Sequence, residues 1–376
     1  MSLGNPLGNP LGNPLGLPRT GGNGSSIGTI TTRTTGPAAN ELPADGRQLS
    51  KDIYPKLFAA IGDAYSIADF TAGFSTVTLP ASLTWSAVAY GNGVFVAVAS
   101  GSATTAVSID SGATWQAGAM PVSTSWKSVT YGNGLFVAVA SSTSIAATSP
   151  DGITWTQRAL PSSSAWSSVT YGGGVFVTVG NSASGATCAA SSPDGVTWTN
   201  RTMPAAVPWT SVAYGNGMFV AIASGTANAA SSPDGITWTT RPLPSSATWS
   251  SVAYGNGVFV AVANTAGIPP AVSSNGITWS TGIVSINSVQ IAFGQGVFYA
   301  LIASSTQYSP DGFQWTSAGS TPITGLSAVA FGAGAFVSIK SGTASALVQN
   351  AISPTNFNLP KTITLDNRST AYIKVA

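Results

Sequence analysis

Three observations predict an all-β chain whose centre is a seven-bladed β-propeller. They are a tetrapeptide repeated seven times, an apolar run after each copy, and a second turn ending in tryptophan. The tetrapeptide is Tyr-Gly-Asn-Gly or a close variant at 90–93, 131–134, 171–174, 214–217, 254–257, 293–296 and 331–334, spaced 41, 40, 43, 40, 39 and 38 residues apart. Each copy precedes Val-Phe-Val-Ala-Val-Ala or a relative, a run of strand length rich in the residues that suit a pleated surface. A period near forty with four strand-like segments is the pattern of a propeller blade.

One repeat illustrates the expected elements. Strand a covers about 249–254, the Gly-Asn-Gly at 255–257 turns the chain, and strand b is Val258–Ala263. A loop leads to strand c near Ala271–Ser273, and the Asn275-Gly276 turn starts strand d at Trp279. All eleven tryptophans occupy two positions of this repeat. Trp85, Trp126, Trp166, Trp209 and Trp249 open strand a, and Trp115, Trp155, Trp198, Trp238, Trp279 and Trp315 open strand d. Sugar stacking and packing between blades both suit such a set. Recurrence in nearly every blade favours packing, at about 2–3 kcal/mol for each buried ring.

The second turns run from SIDSGATW at 108–115 through SPDGITW, SPDGVTW, SPDGITW and SSNGITW to SPDGFQW at 309–315. Ser108-Ile109-Asp110-Ser111-Gly112-Ala113-Thr114-Trp115 resembles the Asp-box of sialidase-type propellers in full; the other copies are one residue shorter. The resemblance implies a structural turn between the two outer strands, away from any catalytic centre. Asp110, Asp151, Asp194, Asp234 and Asp311, with Trp155, Trp198 and Trp238, are accordingly assigned to the repeat's own architecture. Six such turns serve seven tetrapeptides, so the last blade lacks a strand d of its own. Phe74-Ser-Thr-Val-Thr-Leu-Pro80 aligns with Trp238-Thr-Thr-Arg-Pro-Leu-Pro244. Residues 74–80 are therefore expected to complete the blade begun by about 326–352, giving a propeller over 74–356 whose two ends meet at one corner.

Composition narrows the function. Only 6% of the chain is charged and the net charge is +2, too little for a phosphate-binding surface, so no nucleic acid partner is expected. No run of about 18 apolar residues suggests membrane insertion, and the N-terminus lacks a signal-peptide pattern. Histidine is absent, which removes the commonest general base and metal ligand. Between 74 and 356 the acids are the five turn aspartates, and Arg158, Arg201 and Arg241 are repeat-equivalent, so no acid–base pair is assembled. The chain is expected to be no enzyme, and to hold no metal and no cofactor. A single cysteine, Cys188, excludes an intrachain disulfide framework and is read as a small buried residue, in a chain synthesised in a reducing cytoplasm.

The flanks, 41–73 and 357–376, carry Tyr54-Pro55-x-Leu57-Phe58-x-x-Ile61-Gly62 behind a possible Ser50 helix cap, Phe357-Asn358-Leu359-Pro360, and a final Ala371-Tyr-Ile-Lys. These resemble the bacteriophage tail collar domain and the ends of phage tail fibres. The resemblance implies a small collar-like α+β domain into which the propeller is inserted, a place in the virion tail and a homo-oligomer, specifically a trimer. Residues 1–40 repeat Leu-Gly-Asn-Pro at 3–6, 7–10 and 11–14. They form an extended N-terminal arm, either a flexible linker or an anchor whose Leu3, Leu7, Leu11 and Leu15 dock into other tail or baseplate proteins.

Turns a–b and c–d are nearly uniform among blades and are expected on the side where the collar-like domain attaches. Loops b–c and d–a vary on the opposite, distal side, which suits recognition and equally suits absence of constraint. The candidate receptor-binding residues there are Asn181, Ser184, Ala206, Asn228, Asn264 and Ile268; the partner is a host-surface glycan or protein, the glycan favoured, because small polar groups suit glycan hydroxyls over charged ligands. The leading expectation is a tail-tip or tail-fibre protein. A purely structural tail or baseplate component is the alternative, and a bacterial lectin a weaker third.

Overall fold

The computed structural model describes residues 68–70, 73–181 and 187–351, and the backbone of five strands outside them at 30–33, 41–43, 48–50, 356–358 and 370–374. The chain divides into two units, Ser66–Pro354 and a discontinuous one made of Met1–Tyr65 and Thr355–Ala376. No helix occurs among the described residues.

In the larger unit each repeat folds as an antiparallel sheet in the order a-b-c-d. The fourth repeat uses Trp209–Gly215, Met218–Ala223, Thr226–Ser232 and Thr239–Ala247. The fifth uses Trp249–Gly255, Val258–Ala263, Ala271–Ser273 and Ser280–Thr281, so strand d begins one residue beyond Trp279. In the first repeats the backbone stays extended past the corners. Val94–Ser108 serves as both b and c, and Gln116–Gly132 as strand d of one repeat and a of the next. Asn92 (φ 49) and Gly93 (φ 80) of the a–b turn are both left-handed, the conformation that matches a two-residue hairpin to strand twist.

The apolar runs are continuous because both sheet faces are covered. Phe95, Ala97 and Ala99 pack with Val337, Ile339 and Val348 of the seventh repeat, while Val96 and Val98 pack with Phe136 and Ala138 of the second. Period two along the strand thus sends alternate side chains into two different cores. Every later core is likewise shared by consecutive repeats, for example Val177 and Val179 with Phe219 and Ala221. The last and first repeats also share strands. Leu347 pairs with Thr76 and Ala346 with Val77, which puts Ser75–Thr78 beside strand c of the seventh repeat.

The Tyr-Gly dipeptide interlocks neighbours. Gly91 ends strand a of the first repeat, and a Cβ there would run into the ring of Tyr131 in the second. The same holds for Gly132 against Tyr171, Gly172 against Tyr214, Gly215 against Tyr254, Gly255 against Phe293 and Gly294 against Phe331. Gly332 of the seventh repeat receives Tyr90 of the first, so the series closes on itself. Glycine is required here by close approach rather than by dihedral angle.

The ends of this unit meet at the c–d corner of the seventh repeat, where the Asp69 amide donates to the Ala351 carbonyl at 3.1 Å. Phe70 lies there against Tyr308 (ring centroids 4.8 Å), Tyr299 (5.7 Å) and Phe336 (6.1 Å). In the second repeat the corresponding place is held by Gly152 of the aspartate turn, which lies against Val96 and Phe136. Phe70 therefore caps the one corner that has no such turn.

In the smaller unit Thr370–Lys374 pairs with Ile30–Arg33 on one side and Glu41–Pro43 on the other. Residues 30–33 lie in the stretch expected to be an extended arm. They pair because Ile-Thr-Thr is β-branched, unlike the Leu-Gly-Asn-Pro repeats before it. Asn356–Asn358 pairs with Gln48–Ser50, so Phe357 faces Leu49 across a ladder. The helix expected after Ser50, and Leu3, Leu7, Leu11 and Leu15, lie outside the described residues.

Candidate functional site

The two ends of the sheets differ in chemistry. Asn256 of an a–b turn donates through Nδ2 to Gly296 O (2.7 Å) of the next a–b turn and to Pro310 O (2.9 Å) of the neighbouring c–d turn, so both turn types share one face. On the other face b–c turns meet d–a connections: Ser224 N donates to Pro208 O at 2.9 Å and Gly342 N to Leu83 O at 2.8 Å.

The c–d turns are self-contained. Asp151 Oδ1 accepts from Ser149 Oγ (2.9 Å), Ile153 N (2.8 Å) and Thr154 N (2.8 Å), and Ser149 Oγ accepts from Gly152 N at 2.8 Å. Asp194 and Asp234 repeat this pattern, Asp110 uses Thr114, and Asp311 uses Phe313 N at 2.9 Å. The bond from the Thr114 hydroxyl lowers the Asp110 carboxyl from its ordinary range, and the Thr154 and Thr197 amides do the same for Asp151 and Asp194. At Asp234 desolvation pushes upward and the Ile236 and Thr237 amides outweigh it. These carboxylates are occupied in holding backbone. Trp155 and Trp198 each donate their indole N–H to the turn glycine's carbonyl, at 2.9 Å and 3.0 Å, and Trp238 is equally buried.

The opposite face opens on a central channel where the seven a strands begin. The residue after the strand-a tryptophan is usually Ser or Thr, and its hydroxyl bridges to the next repeat. Ser86 Oγ donates toward Trp126 O (2.7 Å), Ser167 toward Trp209 O (2.6 Å), Thr210 toward Trp249 O (3.0 Å) and Ser250 toward Ser288 O (2.7 Å). Ser327 reaches Trp85 O at 3.3 Å, joining the seventh repeat to the first. The following residue adds a second layer: Ser128 Oγ accepts from Val169 N (3.1 Å) and Gln290 Oε1 from Val329 N (2.9 Å). With these, each step round the channel carries at least one bond between neighbouring repeats.

Lys127 stands where a bridging hydroxyl would be in the second repeat. It is exposed and lines two adjoining cavities of about 160 and 340 Å3 at this mouth. The larger also has Ser167, Asn181, Thr210 and Ser250 in its wall, while the rings of Trp166 and Trp209 beside it are fully buried. Among the described residues of the larger unit the carboxylates lie on the opposite face, five in c–d turns and Asp69 beside Ala351. No group of three His, Cys, Asp or Glu among the described residues could hold a metal ion, and no helix there is long and apolar enough to cross a membrane.

Of the six distal residues chosen from sequence, the structure brings Asn181 to this cavity. Ala206 and Asn264 are exposed on the same face away from it, and Ser184 lies outside the described residues. Two placements need correction. Asn228 is in strand c, opposite Pro242, and not in a loop. Ile268 is half-buried against the core containing Trp249 and Phe259, because an apolar side chain in a seven-residue loop folds back onto the sheet. Lys127 escaped the sequence reading, although aligning the repeats shows it as the charged exception in a column of hydroxyls.

Comparison with known proteins agrees with the fold. A family model described as the DUF6242 beta propeller domain matches residues 159–289, so the chain contains a β-propeller domain. No curated protein matches. Among solved structures, YCF48 bound to D1 peptide superposes with a TM-score of 0.58 at 15% identity, covering 76% of this chain and 98% of that one. YCF48 from Cyanidioschyzon merolae gives 0.56 at 14%, covering 74% and 98%. Catalytically inactive virginiamycin B lyase from Staphylococcus aureus with quinupristin, a histidine-to-alanine variant, gives 0.61 at 10%, covering 74% and 100%. At these identities the likeness shows the fold alone, and that fold serves an enzyme as well as a peptide-binding protein.

Proposed function

We propose that this chain is a virion tail-tip or tail-fibre protein, made in the host cytoplasm, whose seven-bladed propeller binds a host-surface receptor at the distal channel mouth. In this reading the propeller covers 74–356 and interrupts a collar-like domain formed by 41–73 and 357–376. Residues 1–40 hold neighbouring tail or baseplate proteins, and the protein assembles as a trimer.

The observation that carries the reading is the mouth itself: a cavity walled by hydroxyls, without a carboxylate among the described residues of the larger unit. Each bridging Ser or Thr has given its proton to a carbonyl, so its remaining lone pairs accept from a ligand's hydroxyl groups. A glycan offers such donors in quantity, which favours it over a protein. The reading of binding rather than catalysis is supported by the described residues of this wall, which include no acid–base pair, and by a sequence without histidine.

A second reading, a purely structural tail component, draws support from the other face. Ile109, Ile153, Val196, Ile236 and Ile277 are exposed on successive c–d turns, a series suited to contact with another protein. Binding of the full chain to a panel of bacterial cells decides between the two, with Asn181→Ala in the wall of the mouth as a comparison. Saturable binding that weakens in the variant supports the receptor reading. A folded protein that binds no cells supports the structural one.

A further inference from the structure

Lys127 interrupts a pattern that otherwise serves the ring. Five of the seven repeats place Ser or Thr after the first residue of strand a, and each of those hydroxyls ties its repeat to the next. Lysine cannot make that bond in the same way. The step from second to third repeat is held by Ser128 and the Val169 amide at 3.1 Å. The other exception, Val289, is compensated by Gln290 in the same manner. Lys127 is therefore not needed for the ring, and it lines both cavities of the mouth. The described carboxylates of the larger unit are gathered on the far face, so none of them neutralises it there.

We propose that Lys127 is the anion-binding residue of the distal mouth and that the ligand is a hydroxyl-rich polymer bearing an anionic group. The ammonium takes the anion, and Ser167, Thr210 and Asn181 take neighbouring hydroxyls. The anion is the carboxylate of an acidic sugar or the phosphate of a phosphodiester-linked one; the two share this recognition chemistry. The inference rests on the receptor-binding reading and narrows its ligand from glycans in general to acidic ones. An exposed ammonium–anion contact is worth about fivefold in affinity at low salt and fades as salt is raised.

The test uses the full chain with three probes, polygalacturonate, polyglycerol phosphate and neutral dextran, at 50 and 300 mM salt. Lys127→Ser is the informative variant, because it restores the hydroxyl that other repeats use and so retains or raises thermal stability. Lys127→Arg keeps the charge. The expected result is at least fivefold preference for one anionic polymer over dextran, lost in Lys127→Ser, kept in Lys127→Arg, and reduced at 300 mM. Which anionic polymer is preferred names the anion. Equal binding of all three polymers, binding of none, or a Lys127→Ser variant that keeps the preference overturns the inference. A parallel cell-binding assay separates the two levels. Cell binding unchanged in Lys127→Ser removes the anion subsite and leaves the receptor reading, whereas absence of cell binding in every variant removes both.

Discussion

Replacing Gly215 by alanine adds one methyl group at the point where the fourth and fifth repeats meet. Gly215 is not in the left-handed region, so alanine is conformationally acceptable there and would by itself favour the strand by about 0.5–1 kcal/mol. The methyl group, however, would fall on the ring of Tyr254, which is itself packed on Phe259 at a centroid distance of 4.8 Å. The ring has to leave its seat, at about 1–3 kcal/mol for overpacking and about 0.5–1.5 kcal/mol for the disturbed aromatic pair. The net expectation is a loss of about 2 kcal/mol. Urea unfolding followed by tryptophan fluorescence measures it. Gly217→Ala is the control, since Gly217 (φ 73) faces open space and alanine there costs about 1–2 kcal/mol through its dihedral angle alone. In a Tyr254→Ala background Gly215→Ala should become harmless while Gly217→Ala costs the same as before. An equal cost of Gly215→Ala in both backgrounds would refute the interlock.

Three further outcomes are expected. The turn carboxylates of Asp110, Asp151 and Asp194 are held below their ordinary range by hydrogen bonds, so their contribution to stability is complete above about pH 4 and is lost as pH falls through the lowered folded values. Asp151→Asn should keep the turn, as Asn275 does with bonds of 2.8 and 3.0 Å from Ile277 N and Thr278 N, yet give a shallower decline in urea midpoint below pH 4. Ala333 occupies the left-handed turn position (φ 48) that five other repeats give to Asn or Gly and the sixth to Gln295 (φ 47), so Ala333→Gly should add about 1 kcal/mol and raise Tm by about 2 °C in a melting curve. Burial pushes the Cys188 thiol up to about 11, so a thiol reagent at pH 8 should label it only when the chain is unfolded in urea.

The repeating units were legible because their signals are local. Asn-Gly at a hairpin, an apolar run of six and a Ser-x-Asp-Gly turn each act within about ten residues, and strands b and c of the fifth repeat fall on Val258–Ala263 and Ala271–Ser273 as the spacing predicts. The strand missing from the last repeat was equally visible, because 74–80 carries the same pattern as 238–244. The site was far less legible. Variation among loops marks where constraint is weak, not where surfaces converge, and of the five chosen residues that the structure describes Asn181 alone lines the channel mouth.

By itself the sequence determined the period, the strands, the turn chemistry and the absence of histidine, since each is a property of consecutive residues or of the whole composition. Adjacency was decided by the tertiary structure. The Gly215–Tyr254 interlock, the Phe70 cap and the Ser327–Trp85 closure join residues about forty or more positions apart, where one-dimensional pattern shows that repeats are equivalent but not which faces they press together. Lys127 makes the same point: along its strand it is one polar residue among several, and only the arrangement of seven strands around a channel sets its charge opposite a wall of hydroxyls.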